Sequence, residues 1–293
     1  MKPYIQIHAA LLLIVLLILT ACERKSSQTS TATQINTIHS LYTAQYDGII
    51  TSAELSSYGN FGLGSFTGLD GELIMLDGIL YKADENGKPT IASPSITIPF
   101  ATVTFFASET DIPINQSQQL VDVNDMLVLD RHMCENKPYA IKIKGRFNYI
   151  HYRSWPKQNP PYIGLNSLAN IEKRYLAKDI DATLIGFYFP QWFGHVNTIS
   201  FHYHFISDDH TIAGHVLDTN IHNAIVQVDP IDKLDIIFTQ SKTSPSQPTN
   251  EYPSAAPNTI VTPRPRDVRE GNNNPNHNKP NPQIPNNPSN PNR

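Results

Sequence analysis

Along the middle of the chain, apolar and polar residues alternate in short runs rather than in the longer period of a helix. Residues 139–151 set Ile141, Ile143 and Phe147 against Lys142 and Lys144, which is the pattern of a strand with one buried face. Residues 95–106 carry Ile96, Ile98 and Phe100 and end in a β-branched and aromatic run. Shorter runs bounded by turn residues lie at 72–76, 184–189, 199–206, 216–217 and 225–228. Residues 167–176 differ, because Leu168, Ile171 and Tyr175 are spaced as one face of a helix, with Lys173 and Arg174 on the other. Glycines at 59, 62, 64, 68 and 71 are too many for the interior of an element and predict a tight, exposed loop feeding strand 72–76. The pattern predicts a mostly β protein with few helices and no internal repeat.

The ends of the chain follow a different pattern. Lys2 precedes an apolar run over residues 9–21, too short to span a bilayer comfortably, which needs about 20 residues. It closes on Leu19-Thr20-Ala21-Cys22, which resembles a bacterial lipoprotein signal with Cys22 as the acylated residue. Residues 1–22 are therefore expected to be a signal segment and 23–34 a Ser/Thr/Gln-rich tether, placing the mature protein at the cell envelope, outside the cytoplasm. Of the 23 prolines, 12 fall in residues 243–293, a stretch too poor in apolar residues to offset its ordering entropy and expected to be disordered. The foldable part is then 35–242.

A net charge of −4 over 293 residues gives no electrostatic reason to expect nucleic acid. Two cysteines exclude a disulfide-dense scaffold, and with Cys22 acylated Cys134 stands alone as a small, half-buried side chain.

Six of the 11 histidines lie between positions 195 and 222. Within Phe201-His202-Tyr203-His204-Phe205, His202 and His204 point to one face of a strand. The polar segment after Ile206 reads as a turn, and pairing Ile206 with Ala213 sets His204 opposite His215. Three imidazoles on one face form the ligand set of a zinc ion with an open position for water or substrate. His195, His210 and His222 read as surface or supporting groups. At this level a hydrolase or hydratase using zinc, or a non-catalytic lipoprotein binding a metal or small ligand, fits as well as any other reading.

The segment 201–209 with Gly214-His215-Val216-Leu217-Asp218 resembles the zinc segment of the α-acetolactate decarboxylase family. The resemblance extends upstream through Asn60-Phe61-Gly62-Leu63-Gly64-Ser65-Phe66, Leu69-Asp70-Gly71-Glu72-Leu73 and Leu76-Asp77-Gly78, and through Lys144-Gly145-Arg146-Phe147 to Tyr152-Arg153-Ser154. It implies zinc on His202, His204 and His215, with Glu72 and Arg153 as catalytic residues and Ser65 and Arg153 binding substrate. The implied reaction is decarboxylation of 2-acetolactate to acetoin and CO₂, the metal chelating the keto and hydroxyl oxygens of an enediolate that is then protonated. A homodimer is implied too. The chain departs from the family at Ala213, where a glycine is usual, and at the C-terminal end, which in the family sends a glutamate to the site. Glu251 and Glu270 are the glutamates left there. The expected fold is α/β and sheet-rich, with a mixed N-terminal sheet over 35–147 packed on a small barrel-like C-terminal part over 148–242 that carries zinc.

Overall fold

Strand alternation dominates, as the pattern predicts, and builds two stacked sheets and a short two-stranded ribbon that pairs residues 50–51 with 97–98. The computed structural model describes residues 29–238 apart from residues 109, 131 and 135. In chain order the strands are β1 (Thr31–Ile35), β2 (Ile50–Thr51), β3 (Phe61–Ser65), β4 (Glu72–Leu76), β5 (Ile79–Ala83), β6 (Pro89–Ile91), β7 (Thr97–Ile98) and β8 (Phe100–Thr104). They continue with β9 (Asp111–Ile114), β10 (Gln118–Gln119), β11 (Tyr139–Ser154), β12 (Lys173–Phe189), β13 (Ser200–Ser207), β14 (Ala213–Pro230) and β15 (Lys233–Ile237). Among the described residues, helices α1 (Ile38–Tyr42), α2 (Ser52–Leu55) and α3 (Leu120–Leu129) complete the regular elements apart from short 3₁₀ turns.

The first sheet is mixed and has the order β15-β1-β8-β3-β4-β5-β6, with β1 and β15 parallel and the other pairs antiparallel. In the second sheet β14 pairs with β11, β11 with β12, β12 with β13, and β13 with β14 again, so the pairings form a closed cycle. β9 and β10 extend β14 along its free edge. Leu120, Val123 and Leu127 of α3 join Ile141, Ile143, Leu184 and Phe205 in the core of the second sheet. A separate core, with Phe61, Leu63 and Ile74 against Ile185, Phe187 and Ile206, lies between the sheets.

Five sequence expectations change. Residues 31–34, read as tether, form most of β1, where the buried Gln34 side chain is satisfied by the carbonyls of Asn36 and Val196 and by Asn197. The glycine-rich stretch is no exposed loop, because β3 runs through it, fully buried between β4 and β8. Glycine is needed there for close approach: a Cβ on Gly64 would sit 2.3 Å from the Phe100 carbonyl oxygen and 2.7 Å from Ala101 Cα. The helix read at 167–176 is a short 3₁₀ turn, Leu165–Leu168, followed by the start of β12. Pairing with β11 overrides the helical spacing: Tyr175 lies opposite Tyr152, and Leu168 packs in a different cluster with Trp155. Cys134 is exposed rather than half-buried.

The strand β11 also runs unbroken through residue 147, and β15 returns from the C-terminal side to the first sheet. The two sheets are therefore not successive stretches of sequence. Cys22, Glu251, Glu270, the signal segment and the Pro/Asn-rich tail lie outside the described residues.

Gly64→Ala is expected to lower stability by about 1–3 kcal/mol through overpacking against β8. Gly78→Ala, where a Cβ would meet nothing within 4 Å, should cost less despite its φ of +80°. Thermal denaturation of both variants checks the order, and Gly64→Ala melting with the parent protein would refute the close approach.

Candidate active site

The site forms where β4 of the first sheet packs on β13 and β14 of the second. Alternation decides which side chains enter. On β4, Ile74 faces the inter-sheet core while Leu73 and Met75 face the opposite side, so Glu72 turns toward the second sheet with Ile74. On β13, Tyr203 and Phe205 enter the core of their own sheet, leaving His202, His204 and Ile206 toward the first. The pairing is Ile206 with Ala213, Phe205 with Gly214 and His204 with His215, the register that antiparallel counting predicts.

The three histidines meet. Their ring centroids lie 4.8–5.2 Å apart, and one nitrogen from each comes within 4.8 Å of the others. His204 Nδ1 lies 2.8 Å from the Leu73 carbonyl; a carbonyl only accepts, so this nitrogen carries the proton and Nε2 keeps its lone pair. His202 Nε2 and His215 Nδ1 face each other at 3.1 Å, and His202 Nδ1 is buried without a partner. Desolvation, reinforced by the Arg153 charge, holds His202 down to about 3 and keeps His204 and His215 well below the usual imidazole range. Neutral, convergent nitrogens on one buried and two half-buried rings are the donor set a divalent ion needs.

Glu72 and Arg153 stand beside this group. Arg153 Nη1 donates to Glu72 Oε1 at 3.0 Å, and Glu72 Oε2 lies 3.4 Å from His204 Nε2. Burial raises the Glu72 carboxyl to about 7, against the downward pull of Arg153 and with an upward push from Glu172. Arg153 reaches this face through an irregularity in its strand. The buried positions of β11 are odd at Ile141, Ile143 and Phe147 and even at Ile150 and Tyr152, and the register with β14 shifts on both sides of Phe147. That bulge switches faces and sends Arg153 to the side opposite Tyr152. Ser65 lies directly across from Glu72 on β3, buried, with its hydroxyl donating to the Gly71 carbonyl at 3.2 Å.

A cleft of about 240 Å³ opens beside His202 and His215, lined by Leu120, Phe201 and Leu217 among others. The remaining histidines of the sequence cluster lie elsewhere: His195 against His39, His210 against Tyr81, and His222 near Ser117. Sequence reasoning missed Glu172, whose Oε2 lies 3.3 Å from Arg153 Nε, and Trp155, whose ring centroid lies 4.6 Å from the Arg153 guanidinium carbon. Glu172 sits in the stretch misread as a helix, where it looks like one more solvated charge.

The desolvated imidazoles make the metal-free protein acid-sensitive. Between the ordinary histidine value of 6.5 and the folded value near 3 for His202, the unfolded chain binds protons the folded chain refuses, so stability falls as pH falls through that window. Glu72 acts in the opposite sense between 4.5 and about 7, as one group against three. Metal-free protein should melt at a lower temperature at pH 5 than at pH 7, and His215→Asn should narrow the gap. Equal melting temperatures would show that the rings are not held neutral.

Residues 33–246 match the family model of alpha-acetolactate decarboxylase. The alpha-acetolactate decarboxylase of Methanosarcina mazei is 35% identical over 196 residues, 67% of this chain and 68% of that one. The enzyme of that name from Streptococcus thermophilus is 37% identical over 212 residues, 70% and 86% of the two chains. The crystal structure of alpha-acetolactate decarboxylase from Bacillus subtilis strain 168 superposes with a TM-score of 0.71 at 26% identity, covering 75% of this chain and 95% of that one. The matched span begins in β1 and passes the end of β15, enclosing every residue of the site, and the chain belongs to the alpha-acetolactate decarboxylase family.

Proposed function

We propose that the protein decarboxylates 2-acetolactate to acetoin and CO₂ with zinc held by His202, His204 and His215. The observation that carries the reading is three neutral, convergent imidazoles, one buried and two half-buried, beside a paired carboxyl and guanidinium. Zinc bound there supplies a Lewis acid for the negative charge that builds on substrate oxygens as CO₂ leaves. Burial keeps the imidazoles unprotonated, and the Leu73 carbonyl fixes the His204 tautomer. Arg153 receives the substrate's carboxylate with the N–H groups its protein partners leave free. Glu72 accepts from Arg153 on Oε1, so near neutral pH its proton resides on Oε2, the oxygen facing the histidines. The carbon that loses CO₂ needs a proton, and Glu72 Oε2 is the buried acid placed to give it. Ser65, across from Glu72, lines the substrate side of the same face.

The family also supports a homodimer and a barrel-like character for the second sheet, and the signal ending at Cys22 supports anchoring by lipid outside the cytoplasm.

Protein purified without added metal should carry about one zinc per chain and form acetoin from 2-acetolactate above the spontaneous rate. His204→Ala should lose both metal and activity. Zinc-loaded protein that makes no acetoin would overturn the reaction, and zinc retained by His204→Ala would overturn the ligand set. Expressed from the full-length gene in bacteria, the protein should partition with membranes and Cys22→Ser should release it; unchanged partition would refute the anchor.

A further inference from the structure

Arg153 and Arg174 are direct cross-strand partners in β11 and β12. Like charges so placed repel each other. Glu172 bridges them. Its Oε1 accepts from Arg174 Nε at 2.6 Å and also contacts Arg174 Nη2, while its Oε2 stands 3.3 Å from Arg153 Nε. The Glu172 side chain is 8% exposed and that of Arg174 is 59% exposed, so the bridge runs from solvent inward to the site. Arg153 is thereby fixed on three sides: its Nη1 donates to Glu72, the Glu172 carboxylate makes an ion pair along its Nε edge, and Trp155 packs against the guanidinium.

We propose that Glu172 is a positioning residue for the decarboxylation, clamping the Nε edge of Arg153 so that the guanidinium turns its unused N–H groups to the substrate's carboxylate. A guanidinium has five N–H groups; with one Nη1 hydrogen given to Glu72 and the Nε edge turned to Glu172, the remaining hydrogens of the two terminal nitrogens are the ones left for the substrate. Without Glu172 the long side chain has only Glu72 and the Trp155 ring to hold it, and Arg174 pushes it from across the strand pair. Arg174 balances the clamp's charge at the surface, so Arg153 keeps its own positive charge for the substrate. This inference rests on the decarboxylase reading for the identity of the anion, and on the geometry alone for the clamp.

The test uses full-length, zinc-loaded protein. Glu172→Gln keeps the shape of the side chain but replaces one acceptor by a donor. It should lower kcat on 2-acetolactate roughly 10–100-fold, the scale of a misplaced catalytic contact, with zinc content unchanged. In an Arg153→Lys background, which has no Nε–H to clamp, the same substitution should cost less than about twofold, because residues acting through one another are not additive. Equal losses in both backgrounds, or a kcat within about twofold of the parent, would overturn the proposal. A readout independent of turnover is the Arg153 Nε–H resonance in ¹⁵N-arginine spectra, assigned by its disappearance in Arg153→Lys. Its exchange with solvent should quicken at least about tenfold in Glu172→Gln, as the buried carboxylate that pairs with and covers the Nε edge is lost; unchanged exchange would show that no clamp exists. If the parent makes no acetoin while its Nε–H is protected in this way, the reaction fails and the clamp stands. Glu172→Asp, which keeps the charge but withdraws the carboxylate, gives the same readouts should the Gln variant not accumulate.

Discussion

One strand face, shared between two sheets, holds this site together. β4 turns Glu72 and Ile74 toward β13 and β14, and the carbonyl of the residue between them, Leu73, accepts the proton-bearing nitrogen of His204. Because side chains alternate along a strand, a slip of one residue in β4 or β13 would exchange these groups for Leu73 or Tyr203 and empty the site. Register is therefore a functional quantity here. It is held by the apolar neighbours of the chemical groups: Ile74 and Ile206 enter the inter-sheet core alongside Glu72 and His204. It is held from behind as well, by β3 wedged between β4 and β8 through glycines that let the backbones close up.

The same burial sets the charge state of every group in the site. Taking an ion out of water costs several kcal/mol unless a partner stands close, so buried groups that can become neutral do so. The three imidazoles lose their affinity for protons, and Glu72 gains one near neutral pH despite the guanidinium beside it. Arg153 cannot discharge, and it is accordingly paired with the Glu172 carboxylate, which Arg174 pairs in turn from the surface. The result is a site whose ligands offer lone pairs, whose acid keeps its proton and whose one inescapable charge is positive, a combination suited to drawing in a carboxylate.

What the sequence reveals follows the range of the interaction. His202, His204 and His215 are legible because a strand, a short turn and the next strand fix their relation within fourteen residues, and the register comes out as counting predicts. Arg153 is not legible from periodicity, since the bulge around Phe147 reverses the face it would otherwise occupy; only family resemblance points to it. The glycine stretch misleads because composition reports flexibility, whereas Gly62 and Gly64 serve proximity within a central strand. The helical spacing of Leu168, Ile171 and Tyr175 misleads because the three side chains go to different places: Leu168 is buried beside Trp155, Tyr175 packs against Tyr152, and Ile171 is exposed. Glu172 is hidden by that misreading, since a carboxylate flanked by Lys173 and Arg174 reads as a solvated charge until β12 is laid against β11.

The cycle of pairings in the second sheet closes over a short seam. β13 meets β14 at three residue pairs, against fourteen between β14 and β11, and one of the three is His204 with His215. A seam that short contributes little hydrogen bonding of its own, and it brings two imidazoles together at the point of closure. A cation held by His202 and His204 on one strand and His215 on the other adds its binding free energy to the closure, since anything that binds only the folded state stabilises it by mass action. The strands in turn hold the ligands in place before any ion arrives, so the cost of ordering them is met in folding. Metal affinity and closure of the sheet are then linked, each favouring the other through the pairing of His204 with His215.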